Sequence, residues 1–160
     1  MYLYHPSWLI ATQSLNVEVV QALPPGRILM RGRPSNLTHV LMVLLGNALD
    51  ALEASGADRR RISLRVEPAG SDIMTTIEDN AAGEDACPAE KIFDTFISPK
   101  GEKHMGLGLG MARKLVEESM GGSIIAENGS AGIRFILRLP VRVSSETADN
   151  RIPLQAQDSL

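Results

Sequence analysis

Apolar residues recur at three- and four-residue spacing between Leu37 and Leu52: Leu37, Val40, Leu41, Leu44, Leu45, Ala48, Leu49 and Leu52. That period predicts one long amphipathic helix. Ser35, directly after Pro34, is placed to cap its start, and Gly56 to close its end. A second helical pattern spans Leu107 to Met120, with Met111, Ala112, Leu115, Val116 and Met120 inward and Gly121-Gly122 as its stop. Elsewhere the pattern alternates with period two. Leu15–Gln21, Ile62–Glu67, Ile73–Glu78, Ile124–Ala126 and Ile133–Leu139 read as strands, and Arg27–Arg31 as a short further one. Pro24-Pro25-Gly26, Gly70-Ser71 and Asn128-Gly129-Ser130 supply turns. Five or six strands joined by hairpins, with two long helices, predict an α+β fold: a mixed sheet carrying its helices on one face.

Residues 1–14 are apolar and aromatic without a clear period, and are expected to form a short helix or an arm packing on the domain edge. Residues 15–140 form the domain, and residues 141–160 a polar, frayed tail. Met1 stands so close to the domain that a piece of a longer protein is expected. At 160 residues the chain can bury a real core as one domain. A net charge of −3 gives no basic footprint for nucleic acid. The single cysteine, Cys87, excludes an intrachain disulfide and a cysteine-based zinc cluster, and fits a reducing, cytoplasmic setting. No apolar run approaches the roughly 20 residues of a membrane span, so no membrane contact by this chain is expected.

The chemistry concentrates between Asp79 and Gly110. Asp79 ends a strand and is followed by Asn80-Ala81-Ala82-Gly83. A carboxylate there can accept from an exocyclic amine such as that of adenine, with Gly83 letting the backbone pass beneath the base. Gly106-Leu107-Gly108-Leu109-Gly110 opens the second helix, whose free N–H groups and positive dipole end suit an anion. A dinucleotide fingerprint fails, because the third glycine of G-x-G-x-x-G would fall on Met111 or Arg113. A Walker A loop fails for want of Gly-Lys-Ser/Thr. On the first helix, Asn47 and Asp50 interrupt the apolar stripe from one side, and an oxygen there suits Mg²⁺. Phe93 and Phe96 can anchor a mobile polar segment, and Lys100 can meet a terminal phosphate. Taken alone, each feature reads more simply as structure: a polar helix edge, an Asp-Asn turn, core aromatics, a solvated lysine.

Their order and spacing are more specific than any part. LLGNALDAL resembles the N box, DNAAGE the G1 box, IFDTFISPK the F box and MGLGLGMARKLVEESMGGSI the G2 box of the GHKL ATPase superfamily. The set is most similar to the catalytic, ATP-binding domain of a bacterial sensor histidine kinase, and GIRFILRLP to that domain's closing strand. The resemblance covers about Leu15 to Pro140. It implies a two-layer α/β sandwich holding ATP·Mg²⁺, with Asn47 on the metal, Asp79 on adenine and Gly83 under the base. Residues 84–105 would be the ATP lid, and Gly106, Leu107, Gly108 and Leu109 would cradle phosphate. In the family the γ-phosphoryl group passes to a histidine on a separate dimerisation domain and then to a response regulator. The parent protein of such a domain is in some cases membrane-anchored.

Four departures stand out. Val43 occupies the N-box position four before Asn47, where hydrolytic members carry a water-activating Glu. Ala81 replaces the first glycine of G1, Arg134 stands where a Thr beside the adenine-binding Asp is usual, and the G2 helix is one residue longer than usual before Gly121. His5, His39 and His104 lack the setting of a phosphoacceptor, so the chain is expected to bind nucleotide without phosphorylating itself. The alternatives are a GHKL serine kinase of the anti-sigma type and a degenerate, non-catalytic docking module.

Overall fold

The computed structural model describes residues 12–25, 28, 33–56, 58–81, 91–93 and 107–141. Among them, five strands form one sheet in the order β1-β2-β3-β5-β4. These are β1 (Val17–Ala22), β2 (Arg60–Ala69), β3 (Asp72–Asp79), β4 (Ser123–Asn128) and β5 (Ile133–Pro140). β1 runs parallel to β2, with Val17 opposite Arg60, and every other pair is antiparallel. A parallel pair needs a long crossover, and helix α1 (Pro34–Ser55) supplies it. β2 and β3 instead form a tight hairpin, in which Ala69 faces Asp72 across Gly70-Ser71. Gly70 takes φ +69°, which its missing Cβ permits.

Strand alternation sends Ile62, Leu64, Ile77, Ile124, Phe135 and Leu137 to one face, where α1 covers them with Val40, Leu44, Leu45, Ala48 and Leu52. The α+β expectation therefore holds. α1 is also long and apolar enough to cross a bilayer by length and composition, at 22 residues and mean hydropathy 1.3. The expectation that no segment reaches that length overlooked this helix, whose apolar stripe packs in the sheet's core. Its start differs too. Arg33 occupies the capping position without a side-chain bond, Pro34 is the first helical residue, and Ser35 lies inside the first turn. Proline fits that first position because its fixed φ is helical and the N–H it lacks would have had no partner. Gly56 closes the helix at φ +64°, as its sequence position predicts.

Helix α2 (Leu107–Lys114) passes directly into a π-helical turn, Leu115–Ser119. A π turn accommodates one more residue than an α turn. Such a turn is the local form that a surplus residue in this helix would take. The closure stretches to match: Gly121 turns left-handed at φ +65°, and the Gly122 N–H donates to the Val116 carbonyl at 2.9 Å. Leu109, Ala112 and Val116 face the core, but Met111 is 58% exposed. Each residue turns the helix by about 100°, so Met111 lies off the stripe that its neighbour Ala112 fixes. Strand β1 starts two residues later than its sequence pattern suggests, because Leu15 and Asn16 form a turn. Of the candidate strand Arg27–Arg31, only Ile28 is described, and it belongs to no strand. Thr12–Ser14 are helical, while residues 1–11 and 142–160 lie outside the described residues.

The packing predicts a contrast between two apolar truncations. Leu44 is fully buried, so Leu44→Ala should lower unfolding free energy by about 2–5 kcal/mol in urea titrations. Met111→Ala should change it by no more than about 0.5 kcal/mol. A comparable loss from both would place Met111 back in the core.

Candidate functional site

β3 carries a buried row of Ile73, Thr75 and Ile77 toward the helices, and the next position in that row is Asp79. The carboxylate is only 4% exposed. Its Oδ1 accepts the Ala81 N–H at 2.9 Å, a local turn that holds the side chain where the strand ends. From the other side Gly132 comes so close that a Cβ there would collide with Asp79 Oδ1 and with its carbonyl oxygen. Burial pushes the Asp79 carboxyl above its ordinary value, against the opposing N–H groups of Ala81 and Ile133, and the adjacent Glu78 charge adds to the rise. The site thus presents a hydrogen-bond acceptor in a dry place.

Asn80 faces elsewhere. Its Oδ1 accepts the Arg61 N–H at 2.6 Å and its Nδ2 donates to the Arg59 carbonyl at 2.9 Å. These bonds staple the end of β3 to the start of β2. Ala81 packs half-buried against the core. Among the described residues Asn16 is the non-glycine with positive φ, so the methyl of Ala81 costs no backbone strain.

On α1, Asn47 is half-buried and its Nδ2 donates to the Val43 carbonyl at 2.9 Å. With the amide nitrogen engaged, the carbonyl oxygen is the atom left to meet a ligand, which suits a hard cation. Val43 has a second contact: its Cγ1 lies 3.4 Å from where a Cβ on Gly108 would stand. The valine therefore forms the floor on which the start of α2 rests. Asn47 lies one turn further along that face. Asp50 is half-buried one turn beyond Asn47. No cluster of three or more His, Cys, Asp or Glu suited to a metal occurs among the described residues.

α2 begins at Leu107 and has no acidic residue in its first turn. The first N–H groups of a helix carry a partial positive charge that suits an anion. Gly108 is exposed, whereas the Leu109 side chain is core, so only the Leu109 backbone can serve a ligand. Gly83, Phe96, Lys100 and Gly106 lie outside the described residues, as does segment 84–105 apart from Lys91, Ile92 and Phe93. Phe93 is buried edge-on to Phe135 at 6.1 Å between ring centroids, and the Arg113 guanidinium sits 5.5 Å above its ring.

Arg134 does not lie beside Asp79, as its sequence position suggests. It is the cross-strand partner of Glu78 and so faces the opposite side of the sheet. Its guanidinium donates to both Glu78 oxygens at 3.0–3.1 Å and to Glu127 Oε1 at 3.1 Å. Ser130 adds its N–H to Glu78 Oε1 at 3.1 Å. Glu78, Ser130 and Gly132 escaped the sequence reading because their proximity depends on strand register. The repeated glycines of Gly129-Ser130-Ala131-Gly132 were the available signal.

Comparison with known proteins bears on the family and the fold. The family described as histidine kinase-, DNA gyrase B-, and HSP90-like ATPase matches residues 32–143. The two-component sensor PprA of Pseudomonas aeruginosa is 36% identical over 136 residues, 81% of this chain and 14% of that protein. The C4-dicarboxylate transport sensor protein DctB of Rhizobium meliloti is 36% identical over 117 residues, 73% of this chain and 18% of that protein. The chain thus spans only a small part of these relatives. Among solved structures, the nucleotide-free catalytic domain of histidine kinase ThkA superposes with a TM-score of 0.71 at 24% identity, covering 84% of this chain and 85% of that one. The match over residues 32–143, which include both helices and strands β2 to β5, means that the chain belongs to the histidine kinase-, DNA gyrase B- and HSP90-like ATPases.

Proposed function

We propose that this chain is the ATP·Mg²⁺-binding catalytic domain of a two-component sensor histidine kinase, positioning the γ-phosphate for a histidine on a separate dimerisation domain. The observation that carries this reading is Asp79: a buried acceptor at a strand end, on the helix-covered face of the sheet. Asp79 takes the adenine amine. The first amides of α2, at Leu107, Gly108 and Leu109, take phosphate. Gly83 passes under the base, Gly106 completes the phosphate loop, and Lys100 and Phe96 act from the lid, which Phe93 anchors at its middle. Asn47 Oδ1, helped by Asp50, holds the Mg²⁺, which neutralises phosphate charge. Phosphoryl transfer needs mainly positioning and charge neutralisation, so the nucleophile can come from another domain.

Val43 supports transfer over hydrolysis. Its side chain packs under Gly108 and its carbonyl is taken by Asn47, so it offers no base to activate water. The docking-module alternative draws less support from the structure than from the sequence. Ala81 is unstrained, and Arg134 sits across the sheet from the base contact. The histidine kinase ThkA has been solved in complex with the response regulator TrrA. A response regulator is accordingly the proposed final acceptor here, and the cytoplasmic side, where ATP is available, the proposed location.

Two outcomes test this reading. Asp79→Asn should weaken ATP binding about ten- to hundredfold in calorimetric titrations, with or without Mg²⁺. Asn47→Ala should weaken binding only when Mg²⁺ is present. The raised Asp79 pKa means that the folded state holds this proton more tightly than the unfolded chain does. At this site, therefore, stability falls as pH rises from the ordinary carboxylate value through the raised one. Asp79→Asn should remove that component, leaving the ligand-free protein as stable as the parent or more so at neutral pH. A less stable variant with unchanged ATP affinity would make Asp79 purely structural. With labelled ATP, label should appear on an added histidine-bearing dimerisation domain and not on this chain alone. Label on the isolated chain contradicts the reading.

A further inference from the structure

Glu78 and Asp79 are consecutive, so strand alternation places them on opposite faces of the sheet. One loop touches both. The turn Gly129–Gly132 is closed by the Gly129 N–H donating to the Gly132 carbonyl at 2.8 Å. On the outer face Ser130 gives its N–H and hydroxyl to Glu78 Oε1, at 3.1 and 3.3 Å. Gly129 lies against the same carboxylate, with no room for a Cβ. On the inner face Gly132 abuts Asp79 Oδ1. The Asp79 carboxylate is thereby held between the Ala81 N–H and the Gly132 backbone.

The loop itself is held by Arg134. Its fork binds both oxygens of Glu78 on β3 and reaches Glu127 on β4, spanning three strands in one row. An exposed ion pair contributes little. This one is bidentate, its Glu78 side chain is 19% exposed, and Glu78 also takes the Ser130 N–H. A planar fork with several bonds fixes direction as well as distance.

We propose that Arg134, acting through Glu78 and the Gly129–Gly132 turn, is a positioning residue that sets the rotation of Asp79 and with it the preference for adenine over guanine. The inference rests on the proposed adenine contact of Asp79. A carboxylate held at one angle accepts from the adenine 6-amine and repels the guanine 6-carbonyl, since both oxygens are acceptors. If the turn loosens, Asp79 swings, the attraction weakens and so does the repulsion.

The test measures ATP and GTP affinities by displacement of a fluorescent ATP analogue from the full chain. Arg134→Met and Glu78→Gln should each narrow the ATP-over-GTP preference about tenfold. A merely structural role would weaken both nucleotides alike. An unchanged ratio, with or without weaker binding, overturns the proposal. If Arg134→Met fails to fold, as read by circular dichroism, Glu78→Gln decides alone. Asp79→Asn separates the two levels. A parent-like preference in that variant defeats the adenine contact itself, whereas a preference lost there but retained in the other two variants defeats only the role of Arg134.

Discussion

The alternation of β3 across its last two residues governs the site. Asp79 continues a buried row of Ile73, Thr75 and Ile77 and must end in a dry place; Glu78, one residue earlier, must end on the outer face. Each carboxylate is then satisfied differently. Burial raises the pKa of Asp79. For Glu78 burial also acts upward, but the Ser130 N–H and the Arg134 fork outweigh it, and the net shift is downward. One strand end thus yields a buried acceptor on the inner face, the proposed adenine contact, and an ionised anchor for the turn on the outer face.

The helices complete this arrangement by packing. α1 buries one stripe on the sheet and turns Val43 toward the start of α2. Gly108 allows α2 to approach Val43 closely, which brings the first turn of α2 against α1. Within the π turn at the far end Val116 still reaches the core. Phe93 packs on Phe135 of β5 and under Arg113 of α2.

Much of this was legible from period and turn chemistry. The long stripe of α1 is a local property of the sequence, and the glycines at 56, 70 and 121 fall where left-handed backbone is needed. What escaped depended on geometry the sequence does not print. Ser35 resembled a cap because Pro34 could be read as lying outside the helix, when it is the first helical residue. Met111 shared a plausible helical spacing, but one residue of rotation carries it to solvent. Arg134 was assigned to the Asp79 side, and a one-residue register difference moves it to the other face. Gly132 is required by an approach to Asp79 that only the folded hairpin creates.

The most direct measurement is a crystal structure of the chain with Mg²⁺ and a non-hydrolysable ATP analogue. The expected result is an adenine amine within hydrogen-bond distance of Asp79, phosphates on the first amides of α2 and Mg²⁺ on Asn47. A nucleotide bound elsewhere, or an adenine that leaves Asp79 unengaged, would contradict the account.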